Sequence, residues 1–192
     1  MPTVLVVTGP SGAGKGTLIR ELVERVPEIE VTVSATTRER RSGEEDGREY
    51  WFLSEDDFLE RVGRGEFLEH VEYVSGRRYG TLRSELERIA RRGHLPLLEL
   101  ETVGALRVKG EVPGAVTIFI SARVDELERR LRERATESTG EIGERIALAR
   151  KQLEQEGEFD YVIENDNLER AVGELTTLVR GLLDATATMP RR

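Results

Sequence analysis

Gly9-Pro10-Ser11-Gly12-Ala13-Gly14-Lys15-Gly16-Thr17 is the stretch that decides the fold of this chain. An apolar run at residues 4–7 precedes it, and apolar residues at helical spacing follow it over residues 18–26. Buried strand, glycine-rich loop and helix in this order, with the spacing G-x-x-x-x-G-K, indicate a phosphate-binding loop. Glycines let the backbone turn successive N–H groups toward one point, where the helix N-terminus also presents its positive dipole end. We therefore expect all nine residues to bind nucleotide phosphates, with Lys15 as a mobile positive charge.

The residue after Lys15 departs from the common pattern of this loop. Serine or threonine usually stands there and provides a hydroxyl ligand for Mg²⁺, whereas this chain has Gly16. The nearest hydroxyl belongs to Thr17. Either Thr17 takes a related role, or the metal is held by phosphate oxygens, water and acidic residues elsewhere. The form G-K-G-T resembles nucleoside monophosphate kinases more than GTPases, so Mg²⁺ bound with ATP is the expected cofactor.

The overall composition is that of one globular domain. The chain has 192 residues, of which 38% are hydrophobic and 34% charged, and its formal net charge is −8. An acidic chain does not have the basic surface of a duplex nucleic-acid binder, and no apolar run approaches the ~20 residues of a membrane span. The sequence contains no cysteine, which excludes disulfides and thiolate metal sites. We expect a cytoplasmic enzyme, monomer or homodimer, that binds neither nucleic acid nor membranes.

Strands and helices alternate near both ends of the chain, which predicts an α/β fold with a parallel sheet and helices on both faces. Between residues 35 and 82 this rhythm is broken by short strands and a single helix, which suggests an inserted antiparallel subdomain. Other segments are expected to form a strand at residues 31–34, a strand at 67–74, a turn at 76–80 and weak structure at 135–143.

Three segments are expected to converge where the core strands end, because ligands bind there in this architecture. The first is the phosphate-binding loop. The second holds Ser34 and the arginines at positions 38, 40, 41 and 48, a composition suited to anions. A solvated charge run paired with nearby glutamates remains the alternative. The third is Glu99 with Glu101, whose carboxylates could hold the nucleotide's Mg²⁺ unless they are ordinary charges at a strand end.

Several further motifs follow one another in the order and spacing of a known family. They include Ser34-Ala35-Thr36-Thr37-Arg38, Arg41, Gly43-Glu44, Asp46-Gly47, Tyr50, Gly65-Glu66-Phe67-Leu68-Glu69 and Tyr79-Gly80-Thr81. Leu127-Glu128-Arg129-Arg130-Leu131-Arg132 and Asn165-Asp166 extend the match over nearly the whole chain. On these motifs the sequence resembles guanylate kinase, a family of ATP:GMP phosphotransferases.

The resemblance implies a division of the chain and a role for each part. Residues 1–34, 82–123 and 157–192 would form the P-loop core, residues 35–81 a small α+β GMP-binding subdomain, and residues 124–156 a helical lid over ATP. The donor ATP would bind to residues 9–17 and Asn165, and the implied acceptors are GMP and dGMP. The residues that would neutralise charge on the transferred phosphoryl group are Lys15, Arg41, Arg130, Arg134 and Arg145.

The resemblance also assigns the GMP site, and the chemistry of its residues supports the assignment. The phosphate would be held by bidentate guanidinium groups and phenolic donors, namely those of Arg38, Arg41, Tyr50 and Tyr79. Guanine would be read by Ser34, Glu69, Thr81 and Glu101. A carboxylate accepts from the N1–H and N2–H groups of guanine, whereas adenine presents an acceptor at N1, so AMP should be a poor substrate. Contacts to the metal are assigned to Thr17 and Glu99.

The sequence departs from the family pattern at several points, including Arg40 and Ser42, where prolines are common, and the segment after the core strand. The sequence after the core strand usually reads Asp-x-Gln-Gly, whereas this chain has Glu101-Thr102-Val103-Gly104, and the extra methylene of Glu101 moves its carboxylate by roughly 1.5 Å. Two other functions stay open at this point: a ribose bisphosphate kinase of the same fold, and a catalytically silent scaffold that binds a phosphopeptide. Glu69 with Ser34 favours GMP, and the intact phosphate-binding loop disfavours the scaffold.

Overall fold

A computed structural model describes residues 3–73, 76–133 and 139–187. These residues form nine β-strands and seven α-helices, with a short 3-10 helix before the last strand. In chain order they are β1 (Val4–Thr8), α1 (Lys15–Arg25), β2 (Ile29–Val31), β3 (Ala35–Thr36), β4 (Trp51–Phe52), α2 (Glu55–Gly63), β5 (Phe67–Glu72), β6 (Arg78–Leu82), α3 (Arg83–Arg91), β7 (Leu95–Glu99), α4 (Thr102–Glu111), β8 (Ala115–Ser121), α5 (Val124–Glu133), α6 (Thr139–Leu153), β9 (Tyr161–Glu164) and α7 (Leu168–Ala187).

The core is a five-stranded parallel sheet in the order β2-β7-β1-β8-β9. All five residues of the central strand β1 are buried, as expected for a strand whose apolar residues do not alternate. Leu5 and Val7 pack with α1 and α7 on one face, while Val4 and Val6 pack with α3 and α4 on the other. This arrangement confirms the predicted α/β class with helices on both faces of a parallel sheet.

Four short strands form a second, mixed sheet in the order β4-β3-β6-β5. β6 pairs antiparallel with both β3 and β5, whereas β3 and β4 run parallel, so the sheet is not wholly antiparallel as expected. Its apolar face is built around Phe58 of α2 and Phe67 of β5, whose rings stack with centroids 4.3 Å apart. The second sheet therefore has a small core of its own, beside the parallel sheet.

Three local predictions were wrong, and in the first two contacts distant in sequence decide the structure. Residues 32–34 are not a strand, because β2 has already ended and the Val33 N–H donates to the carboxylate of Glu85 at 3.0 Å. Residues 78–80 belong to β6 rather than to a turn, since they pair with strands on both sides. Of residues 135–143, expected to be weakly structured, residues 139–143 lie in α6, and residues 135–138 lie outside the described residues.

The chain leaves β1 in close contact with the neighbouring strand. Gly9 directly follows β1, and a Cβ atom at this position would lie 2.2 Å from the carbonyl oxygen of Ile120 in β8. Because no side chain fits there, glycine lets the loop pass directly against the sheet. β7, on the other side of β1, ends at Glu99. The phosphate-binding loop and Glu99 therefore lie at the same edge of the parallel sheet.

Candidate active site

The phosphate-binding loop runs from the end of β1 to the first turn of α1. Gly14 caps this helix in the left-handed conformation, with φ 88° and ψ 17°, and its carbonyl oxygen accepts the N–H groups of Thr17 and Leu18. A Cβ atom on Gly14 would lie 2.5 Å from Nδ2 of Asn165, so both the backbone conformation and the close approach require glycine. The loop therefore aims the N-terminus of α1 at the space where an anion would bind.

Lys15 lies in the first turn of α1 with its ammonium group against its own loop. Its Nζ atom lies 2.7 Å from the carbonyl oxygen of Gly9 and 3.2 Å from that of Pro10. Burial lowers the pKa of Lys15, while the negative charges of Glu99 and Glu101 act in the opposite direction. Burial also raises the pKa of Glu99, and Lys15 opposes this effect. The charges of Lys15, Glu99 and Glu101 are thus electrostatically coupled within the site.

Asn165 follows β9, and its side chain holds the phosphate-binding loop through a hydrogen bond. Its side chain is buried, and its Nδ2 atom donates to the carbonyl oxygen of Ala13 at 2.7 Å. The backbone N–H of Asn165 donates to Ser121 at the end of β8, which fixes the residue to the sheet. Asn165 therefore lies at the predicted donor site, with one amide hydrogen engaged by the loop itself.

Two of the predicted lid arginines reach the same loop. Arg130 of α5 donates to a loop carbonyl oxygen at 3.3 Å and also pairs with Glu126 at 3.1 Å. Arg145 of α6 donates to Oγ of Ser11 at 3.0 Å. Arg134 lies outside the described residues. The pairing of Arg130 with Glu126, expected if this arginine served only the helix surface, thus coexists with a contact to the loop.

A cavity of about 710 Å³ lies between the parallel sheet and the second sheet. Its lining includes seven of the predicted site residues, Lys15, Ser34, Tyr50, Glu69, Tyr79, Glu99 and Glu101. Tyr73 and Arg107 also line it, although the sequence did not single them out. The sequence did contain a signal for each of them. Position 73 follows position 69 at the even spacing of residues on one face of a strand, and position 107 shares one face of α4 with positions 103 and 104.

Glu69 is the buried carboxylate of this cavity. Its residue is 6% exposed, and its Oε1 atom accepts a hydrogen bond from Oγ1 of Thr81 at 2.9 Å. Burial raises the pKa of Glu69, although the hydrogen bonds from Thr81 act in the opposite direction. The second oxygen, Oε2, lies 3.4 Å from the position that a Cβ atom would occupy if residue 104 were not glycine. Because Glu69 itself lines the cavity, its carboxylate is placed to accept hydrogen bonds from a ligand there.

Arg38 is held in a fixed orientation. It is 7% exposed, and its guanidinium group donates to both carboxylate oxygens of Glu44, at 2.8 and 3.0 Å. The guanidinium carbon also lies 5.3 Å from the ring centre of Tyr50, and the Tyr50 and Tyr79 rings meet edge to face at 5.9 Å. The Arg38 and Arg41 groups hold the pKa of Glu44 below its usual range.

The other arginines of this loop are exposed. Arg41 is exposed, and its backbone N–H donates to Glu44 at 2.8 Å. Arg48 is also exposed and pairs with Glu45 and Glu49 at 2.8 and 2.7 Å. The two readings of this charged segment therefore divide between its members: Arg48 behaves as part of a solvated charge run, whereas Arg38 is buried beside the cavity.

Comparison with known proteins agrees with this geometry. The sequence model of the family described as guanylate kinase matches residues 1–182 of the chain. The chain belongs to the guanylate kinase family. Its relatives include the guanylate kinase of Synechococcus sp. (strain JA-3-3Ab), 45% identical over 177 residues, with coverage of 92% of this chain and 81% of the relative. The guanylate kinase of Prochlorococcus marinus (strain MIT 9313) is 47% identical over 175 residues, covering 91% of this chain and 92% of the relative.

A solved structure gives the same result for the fold. The crystal structure of guanylate kinase from Anaplasma phagocytophilum superposes with a TM-score of 0.71 at 29% identity, over 93% of this chain and 84% of that one. Family membership confirms the sequence-based identification of an ATP:GMP phosphotransferase among the nucleoside monophosphate kinases. Of the helices formed by the described residues, none has the length and apolar character of a membrane-spanning segment.

Proposed function

We propose that this chain transfers the γ-phosphoryl group of Mg-ATP to GMP, and also to dGMP, with the residue roles given below. The observation that carries the proposal is the single cavity that joins the phosphate-binding loop to a buried, ligand-facing carboxylate. Lys15 and Glu69 both line this cavity, as do Tyr50 and Tyr79. A donor phosphate at the loop and a guanine at Glu69 would thus share one enclosed space.

The acceptor half would recognise both ends of GMP. Glu69 would accept the N1–H and N2–H groups of guanine through its cavity-facing oxygen, while Thr81 occupies the other oxygen and Ser34 and Glu101 complete the base contacts. The phosphate would bind to the fixed guanidinium of Arg38 with Arg41 and the phenols of Tyr50 and Tyr79. Because Glu44 already pairs with Arg38 at two points, that guanidinium is oriented before GMP arrives.

The donor half would hold ATP on the nine loop residues and against Asn165. In the transfer, an ionised phosphate oxygen of GMP attacks the γ-phosphorus of ATP, and the bond from that phosphorus to the β-phosphate oxygen breaks, so ADP leaves. No general base is needed because the attacking oxygen carries no proton. The charges that stabilise the transferring group are assigned to Lys15, Arg41, Arg130, Arg134 and Arg145.

The donor set at the loop fits Mg²⁺, which prefers oxygen ligands and keeps several waters. Within the described part of the chain no three His, Cys, Asp or Glu side chains form a metal-binding group, so one or two protein oxygens would act together with phosphates and water. We assign these oxygens to Thr17, in the first turn of α1, and to Glu99, whose carboxylate lines the cavity beside Lys15. The ion, when bound, supplies charge neutralisation on the nucleotide phosphates.

The test is ADP release measured with four acceptors at equal concentration: GMP, dGMP, AMP and ribose bisphosphate. We expect turnover with GMP and dGMP, and roughly 10⁴-fold less with AMP, because the buried carboxylate would face the N1 lone pair of adenine. Turnover that depends on ribose bisphosphate instead would favour the alternative kinase. Lack of turnover with every acceptor, together with binding of a phosphopeptide, would favour the scaffold.

A further inference from the structure

Gln152 of α6 contacts the wall of the acceptor cavity. It is 5% exposed, and its Nε2 atom donates to Oε2 of Glu101 at 3.0 Å. Glu101 directly precedes α4 and lines the cavity with Glu69. The amide of Gln152 donates to this carboxylate and so restricts where the carboxylate can point. A hydrogen bond to a charged group is among the stronger ones in proteins.

The position of Gln152 on α6 links two parts of the site. Arg145, Ala149 and Gln152 are spaced by four and three residues, so at about 3.6 residues per turn they form one stripe along the helix. Ala149, in the middle of this stripe, is buried in the main core. Arg145 at one end reaches the phosphate-binding loop, and Gln152 at the other end reaches Glu101. One helix face therefore touches the donor side and the acceptor side together.

We propose that Gln152 is a positioning residue for GMP: it holds the carboxylate of Glu101 toward the guanine end of the cavity. The inference rests on the proposed function. Glu101 has one more methylene than the aspartate of the family pattern, and therefore one more rotatable bond, so its carboxylate has more freedom to lose when guanine binds. A donor fixed on a core-packed helix removes that freedom in advance. The longer side chain of Glu101 and the amide donor of Gln152 thus act together to orient one carboxylate.

The experiment is a double-mutant cycle read through the KM values of both substrates. Gln152→Glu keeps the shape of the side chain but replaces the donor by an acceptor facing Glu101, and should raise KM for GMP at least tenfold while KM for ATP changes less than about twofold. Gln152→Met keeps the volume without a donor and should raise KM for GMP about tenfold. In the background of Glu101→Gln, which supplies an amide donor, Gln152→Glu should change KM for GMP by less than about twofold.

The matched control is Gln155→Glu, which adds the same charge three residues after Gln152. Gln155 precedes the 3-10 helix at Glu156–Glu158, and its side chain makes no capping hydrogen bond to that helix. It should leave both KM values unchanged. Three outcomes would overturn the pairing of Gln152 with Glu101 while wild-type turnover remains. They are an equal effect of Gln152→Glu on KM for GMP with and without Glu101→Gln, an equal rise in KM for ATP, or the same rise in KM for GMP from the control. Absence of GMP-dependent turnover in the unsubstituted protein would instead overturn the proposed function, and this inference with it.

Discussion

Replacing Glu69 by glutamine should change GMP affinity and fold stability in opposite directions. In the structure Oε1 accepts a hydrogen bond from the Thr81 hydroxyl, and the Glu69 side chain lines the cavity. If the amide oxygen of the variant stays with that hydroxyl, its NH₂ group points at the guanine donors and at least one hydrogen bond to a charged acceptor is lost. Such a bond contributes about 1.5–3 kcal/mol, so the Kd for GMP should rise about ten- to a hundredfold.

The stability effect follows from the raised pKa of Glu69. A carboxyl group whose folded-state pKa lies above its unfolded value of 4.5 binds protons more tightly in the folded state. Its contribution to stability is therefore fully present below the unfolded pKa and is lost as the pH rises through the folded pKa. At neutral pH the ionised, desolvated carboxylate destabilises the fold, so Glu69→Gln should raise the midpoint of thermal unfolding and remove this part of the pH dependence.

Two measurements check this prediction. Calorimetric titration gives the Kd of GMP and of ATP for wild type and variant, and thermal unfolding at several pH values gives the stability. The matched control is Glu72→Gln, on the same strand but exposed and paired with Arg78, where the ion pair contributes about 0–1 kcal/mol and GMP binding should not change. Equal weakening of GMP and ATP, or a GMP Kd within twofold of wild type, would refute the assignment of Glu69 as the guanine reader.

Three further perturbations test the rest of the site. Lys15→Met should lower kcat about 10²–10³-fold in the ADP-release assay and leave the Kd of GMP nearly unchanged; a large loss of GMP affinity would contradict the division into two halves. Gly14→Ala should lower the midpoint of thermal unfolding and weaken ATP binding, because Gly14 has a positive φ and a Cβ atom there would lie 2.5 Å from Asn165. As its control, Gly181→Ala at an open helical position should stabilise the fold by about 0.5–1 kcal/mol. Arg38→Lys cannot reproduce the two-point pairing and should raise KM for GMP about tenfold, and an unchanged KM would show that Arg38 does not hold the GMP phosphate.

Much of the donor side followed from local sequence. Residues 4–18 predicted the strand, the loop and the helix because their signals are short-range: an apolar run, glycines where the backbone turns, and a helical period. The left-handed conformation of Gly14 agrees with that prediction. The second sheet was predicted less well, since the strand at residues 78–80 exists only through pairing with segments far along the chain, and pairing overrides local turn propensity.

The sequence by itself determined the family, because the phosphate-binding loop and the further family motifs occur as fixed residue types at fixed spacing. Only the tertiary structure decided that Thr81 donates to one carboxylate oxygen of Glu69, that Glu44 fixes Arg38, and that Gln152 pairs with Glu101 across 51 positions of sequence. Such contacts leave no periodic or compositional trace. Their physical cause is packing: a buried polar group must find a partner wherever the fold brings one within hydrogen-bond distance.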